Sequence, residues 1–406
     1  MFMLSPLCSA ADPMMWPSKG AFPAYPSEED TRQISVAATA TYTDDNNLFR
    51  VSDQAPPPVA GTDERGDRYL RGSFALNADL DISRQKILID ATADHYSFDQ
   101  FSRLDDWLYY GDFNWLWVVG SHLDGKIGYT QSLRYPDFSE LQYASDDLVT
   151  TQYGHLSLDW QALKWMAVRT LVESSEYDHK DFTRSYLNNR VLAGTLGVFY
   201  VGPSQAAIGA QYKVSDGTYP NRETIGPVTV DNQYRETESS VVMSTPFESK
   251  MSADLRVGYT QRRHEDVIQR DFDGVTGRLQ LRYSPTPKVL IDFAAYREVQ
   301  PVEDLTASFA VVNGASIGPA WAPTSKWVLQ ASYVYNERSL DGNPGFVLTD
   351  TPPREDRIRA ARVAIGYQPN RHIQATLSFE QGSRTSNVVD ADYDYNLANL
   401  QLSVIL

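Results

Sequence analysis

The chain has 406 residues, with 36 Lys+Arg against 52 Asp+Glu and a formal charge of −16. That acidic balance argues against a nucleic-acid partner, because binding to phosphates relies on clustered Lys and Arg. The single cysteine, Cys8, rules out an intrachain disulfide framework and a thiolate metal centre, and no run of 18 apolar residues is present to form a membrane-crossing helix.

Residues 1–11 are mostly apolar and end in Cys8-Ser9-Ala10-Ala11, small residues of the kind that precede a signal-peptidase cut. The first basic residue is Lys19, so the segment reads as the remnant of a secretion signal whose start lies upstream. Residues 12–30, with Pro13, Pro17, Pro23 and Pro26, read as an extended periplasmic N-terminal segment. Residues 31–406 read as a single outer-membrane β-barrel.

From Thr31 onward the apolar residues recur with period 2, the signature of strands. Leu70, Phe74, Leu76, Leu80 and Ile82 share one face, and Arg71, Ser73, Asn77, Asp79 and Asp81 the other. Met251, Ala253, Leu255, Val257 and Tyr259 alternate in the same way with Ser252, Asp254, Arg256, Gly258 and Thr260. The pattern predicts about eighteen strands of about 10–15 residues. They fall near 31–43, 68–82, 86–97, 107–118, 121–132, 147–159, 163–174, 188–199, 205–215, 235–245, 251–262, 270–283, 288–298, 307–321, 326–336, 356–368, 371–382 and 392–406.

Soluble strands average about 5–6 residues, whereas a tilted membrane-spanning strand needs about 9–11. Short turns such as Ser83-Arg84-Gln85 and Gln368-Pro369-Asn370 alternate with long polar loops such as 44–67, 133–146, 216–234 and 337–355. The fold expected is therefore all-β: a transmembrane antiparallel barrel with short periplasmic turns and long extracellular loops. Trp160, Trp165, Tyr200, Trp321, Trp327 and Tyr367 border short turns, as an interfacial aromatic girdle would.

Nothing in the sequence supports a catalytic site, a metal site or a cofactor. The six histidines are scattered. Ser83-Arg84-Gln85-Lys86 satisfies a Ser-x-x-Lys pattern, but it coincides with a tight turn and lacks its companion motifs. Asp271-Phe272-Asp273-Gly274 starts like a calcium loop, yet Arg282 stands where the bidentate acid belongs.

The inward faces instead carry Arg71, Asp79, Lys86, Asp90, Lys126, Asp159, Asp254, Arg256, Arg278, Arg282 and Arg362 as candidate lumen-lining residues. Charges there set selectivity, whereas basic residues facing lipid at mid-membrane cost about 2–4 kcal/mol each. This mixed lining suits a polar, hydrogen-bonding solute; the plainer alternative is that the charges pair across strands and merely solvate the interior. Asp105, Asp106, Trp107, Tyr109 and Tyr110 lie at the long-loop rim, either as a glycan-contacting surface or as part of the girdle.

The segment Tyr42-Thr43-Asp44-Asp45-Asn46-Asn47-Leu48-Phe49-Arg50-Val51-Ser52-Asp53 resembles the first-strand motif of the EpsL-type outer-membrane barrels encoded with exopolysaccharide loci, within a broader porin group. Asp45, Asn47, Leu48, Phe49 and Arg50 carry the motif, with one additional Asn between the acidic pair and the rest. Tyr367-Gln368-Pro369-Asn370-Arg371 and the strand after it are similar as well. The resemblance implies a channel for exopolysaccharide export at the Gram-negative outer membrane, with polysaccharide and other export proteins as partners beside the membrane lipid. Two alternatives stand beside it: a general diffusion porin for small polar solutes, and a non-conducting anchor or assembly barrel.

Overall fold

The computed structural model describes residues 34–59, 63–225, 228–246, 250–301, 309–342 and 353–406. The secretion-signal remnant (1–11) and the periplasmic segment (12–30) lie outside these residues.

Twenty strands follow in chain order: β1 (Ile34–Asp45), β2 (Asp67–Ile82), β3 (Gln85–Phe98), β4 (Asp106–Val119), β5 (Leu123–Arg134), β6 (Val149–Leu163), β7 (Met166–His179), β8 (Asn189–Val201), β9 (Ala207–Thr218), β10 (Glu223–Ile225), β11 (Val228–Val230), β12 (Tyr234–Ser244), β13 (Met251–His264), β14 (Phe272–Thr286), β15 (Val289–Pro301), β16 (Phe309–Thr324), β17 (Trp327–Asp341), β18 (Arg354–Asn370), β19 (Ile373–Ser386) and β20 (Tyr393–Ile405). All but β10 and β11 join one 18-stranded antiparallel sheet, which closes where β1 pairs with β20, Ala37 opposite Ile405 and Asp45 opposite Leu397. Closure leaves no sheet edge to be satisfied inside lipid, where backbone groups have no water to bond.

The strand boundaries follow the sequence periodicity closely, because lipid and water make opposite demands on successive residues. Phe74, Val257, Leu377 and Leu400 stand exposed on the outside, while Thr41, Thr260, Thr376 and Ser378 turn inward and are buried. Trp160, Trp165, Tyr200 and Trp321 are exposed beside the short turns, and Trp327 lies against Tyr367 with ring centroids 4.4 Å apart. A second set, Tyr42, Trp107, Tyr109, Tyr129, Tyr259 and Tyr333, marks the long-loop side. The Ser-x-x-Lys match is a hairpin: Ser83 adopts φ +60° in the β2–β3 turn and Lys86 pairs with Asp79 at 2.8 Å. The calcium-loop match is the start of a strand, where Asp271 accepts from the His264 N–H and Asp273 pairs with Arg263 at 2.6 Å.

Two features were not expected from the sequence. The β9–β12 connection contains the small β10–β11 hairpin, and the β5–β6 loop contains one helical turn, α1 (Phe138–Leu141).

Candidate functional site

The inward faces of the strands bring the charged candidates into a set of ion pairs. Arg256 reaches Glu238 at 2.6 Å and Glu298 at 3.5 Å, and Arg278 holds Glu298 at 2.7 Å. Arg282 meets Asp292 at 2.8 Å, and Arg262 meets Glu236 at 2.7 Å. Asp159 is bonded by Arg169 of β7. Arg71 donates to Thr41 (3.4 Å) and Arg362 to Ser378 (3.3 Å). Asp90 and Lys126 lie on the same inward faces of β3 and β5, and Asp254 is buried on β13 with Oδ1 lacking a partner. The candidates are thus spread around the bore; their partners Glu238, Asp292, Glu298 and Arg169 were not among the residues picked from the sequence, nor was the Arg262–Glu236 pair.

The mouth on the long-loop side is organised by the loop joining β5 to β6. Asp137 caps α1 by accepting from the Ser139 N–H, which directs Glu140 away from its own strands. Glu140 Oε1 then meets Arg338 Nη1 of β17 at 2.6 Å, each side chain 7% exposed. In an 18-stranded ring, β17 lies on the far side from β5 and β6. Arg338 also bonds Asp356 of β18 at 2.7 Å, Arg354 holds the same carboxylate at 2.9 Å, and Arg384 of β19 donates to the Ser139 carbonyl at 2.6 Å. The loop therefore spans the bore and is fastened at its far end by a network of buried charges.

At its near end the same loop packs into a hydrophobic knot. Phe49 is fully buried, with ring centroids 4.8 Å from Phe101 and 5.0 Å from Phe138. Leu48, Val51, Phe98 and Leu104 complete the cluster. Tyr135 donates to the Leu104 carbonyl, and burial pushes its phenol well above the ordinary value. Further along, Asp147 meets His179 at 2.5 Å, Arg184 at 3.3 Å and the Asp181 N–H at 2.8 Å. Burial alone would raise the Asp147 carboxyl, but the hydrogen bonds from His179 and the Asp181 N–H, aided by both neighbouring side-chain charges, outweigh it and hold it below the usual range.

The motif residues that carry the EpsL-type resemblance are structural fasteners here. Arg50 grips Asp45 through both carboxylate oxygens (2.9 and 3.0 Å), and its guanidinium lies 3.7 Å above the Tyr395 ring. Asn47 donates to the Val51 and Asp394 carbonyls at 2.8 and 2.9 Å. Tyr395 in turn rests against Gly382, where a Cβ would come within 2.3 Å of the ring. The stack ties residues 46–51 to β19 and β20 at the seam of the barrel.

The candidate glycan rim is divided by strand alternation. Trp107 and Tyr109 stand exposed on the outer wall among the girdle residues, whereas Asp106 and Tyr110 take the alternate inward positions. Asp105 accepts from the Phe98 N–H at 2.8 Å and closes the β3–β4 turn. These five residues do not share a surface, because period 2 sends neighbours to opposite faces. Sequence reasoning also passed over Glu140 and Arg338. The one local hint was Asp137-Phe138-Ser139-Glu140, which has the spacing of a helix-capping box.

Residues 232–405 match the family model described as "Putative beta-barrel porin 2". None of the curated proteins compared matches the chain. Among solved structures, the chain is similar to a BenF-like porin from Pseudomonas fluorescens Pf-5, with TM-score 0.48 and 9% identity over 92% of this chain and 98% of that one. It is similar to OpdK of Pseudomonas aeruginosa, solved with vanillate, with TM-score 0.45 and 10% identity over the same shares of 92% and 98%. OccAB3 of Acinetobacter baumannii gives TM-score 0.43 and 10% identity, again over 92% and 98%. With membrane-length strands, an apolar outer band and aromatic girdles on both sides, the chain is a transmembrane β-barrel of the Gram-negative outer membrane.

Proposed function

We propose that the barrel is a diffusion channel for small polar solutes. The observation that carries this reading is the loop pinned across the bore by Glu140, Arg338 and Arg384. A crossing segment held by buried ion pairs narrows the passage while the polar wall below it stays wet, which suits a small hydrogen-bonding solute. The same feature weighs against the polymer-export function implied by the EpsL-type resemblance. An extended glycan would need the loop to swing aside, breaking charge contacts that are almost fully buried. The match of residues 232–405 to a porin family model adds support to the diffusion reading.

The test is single-channel recording of the refolded protein in a planar bilayer. Liposome swelling with sugars and amino acids of increasing size would run alongside it. Steady current with a sharp size limit supports the reading. Block by cell-surface polysaccharide at low concentration would return the export function to the front. Absence of current from a barrel with heat-modifiable gel mobility would leave a non-conducting anchor.

A further inference from the structure

Inside the bore, Asp90 on β3 is the register partner of Asp112 on β4, and Asp124 on β5 is the partner of Asp159 on β6. Like charges directly opposite each other destabilise a sheet, so each pair calls for an offset. Asp159 has one in Arg169. On the wall formed by β12 to β15, Glu236, Glu238, Asp292 and Glu298 are each bridged by an arginine. Among the described residues, no ion pair reaches Asp90 or Asp112. Asp112 accepts hydrogen bonds from Thr130 (2.6 Å) and Asn114, which orient the carboxylate without neutralising it.

The surroundings add unpartnered polar atoms. His155 and Asn114 crowd together over Gly128, where a Cβ would stand 2.1 Å from His155 Cε1 and 2.5 Å from Asn114 Oδ1. Both side chains are more than nine-tenths buried, at 9% and 8% exposed, yet Asn114 Oδ1 and both ring nitrogens of His155 lack a partner. A carboxylate pair, an amide oxygen and the acceptor nitrogen of a neutral imidazole form a wall rich in hydrogen-bond acceptors. Lys126, on the inward face of β5, interacts electrostatically with Asp112 and so offsets at most one of the two carboxylate charges.

We propose that Asp90 and Asp112 form the cation-selecting site of the bore, favouring solutes that carry an ammonium or guanidinium group. Such a group supplies the charge and donors still unmet once Lys126 has offset one of the two carboxylates. The proposal rests on the diffusion-channel reading.

Reversal potentials in a potassium chloride gradient, repeated with guanidinium chloride, test it. The expected result is a cation preference of about tenfold, the enrichment a cleft lined by one sign of charge produces at the low end of its range. Asp90→Asn and Asp112→Asn, singly and together, are expected to bring the preference towards unity while current persists. Asp273→Asn, on the outer face, should leave it unchanged. Because each inner substitution removes a like-charge contact, the variants should be no less heat-resistant in gel mobility than the parent. Current with no cation preference, or a preference that survives both substitutions, overturns this proposal and leaves the channel reading intact. No current from a folded barrel overturns both.

Discussion

Glu140 and Arg338 are separated by 198 residues in sequence, yet their side chains meet at 2.6 Å across the mouth of the barrel. Both side chains are almost fully buried, so the contact fixes the crossing loop against the far wall instead of merely decorating it. Breaking a buried pair by removing one partner costs about 3–5 kcal/mol when the survivor is stranded. Arg338 would keep Asp356, so Glu140→Gln should cost less than that. The expected phenotype is a folded barrel with larger, noisier single-channel current and faster proteolysis within 135–148.

The near end of the loop should respond to acid through Asp147. Its carboxyl is held below the ordinary range, so the anchorage it provides is complete at neutral pH and weakens as pH falls below about 4 and through the lowered folded value. The onset of gel-mobility change on heating, measured at pH 7 and near pH 3, should show a larger acid penalty for the parent than for Asp147→Asn. Equal penalties would remove Asp147 from the explanation.

Phe49 offers a test of the hydrophobic knot. Truncating a fully buried Phe to Ala typically costs about 3–5 kcal/mol, and Phe49 has no solvent exposure at all. Phe49→Ala should free the 46–59 and 135–148 segments together, because the ring touches Phe101 and Phe138 at once. Limited proteolysis that opens both loops in step would match; cleavage confined to one would not.

The seam stack makes a separate demand on Gly382. A methyl group there would collide with the Tyr395 ring, shift it, and loosen Arg50 from its perch. Gly382→Ala is expected to lower heat resistance by more than Gly72→Ala, since nothing lies within 4 Å of a Cβ added at Gly72. Arg50→Lys should fall between them, keeping the charge opposite Asp45 but losing the flat contact with Tyr395.

Strands and faces were legible in the sequence because the rule behind them is local. Phe74 must differ from Ser73 for reasons that involve only lipid on one side and water on the other. The inward placement of Arg256 and Arg278 follows from the same alternation. Partner identity was not legible, because it depends on register. Asp90 faces Asp112 only once the β3–β4 turn has fixed which residues lie opposite, and the 99–105 segment does not announce that length. The crossing loop was harder still, since its contacts lie on strands that share no local pattern with it. The rim was misleading for the opposite reason: Asp106, Trp107, Tyr109 and Tyr110 are adjacent in sequence, and adjacency on a strand means opposite faces.

The pairing of β1 with β20 has a consequence for biogenesis. Thr39 bonds Ser403 across 364 residues, so the first strand of the sheet waits for the last before its open edge is covered. Until then the nascent sheet presents unpaired backbone and greasy strips to an aqueous compartment, a state prone to clumping. Maturation is therefore a race between ring completion and self-association. A holding chaperone that keeps the chain extended up to the moment of insertion would decide how much of it survives.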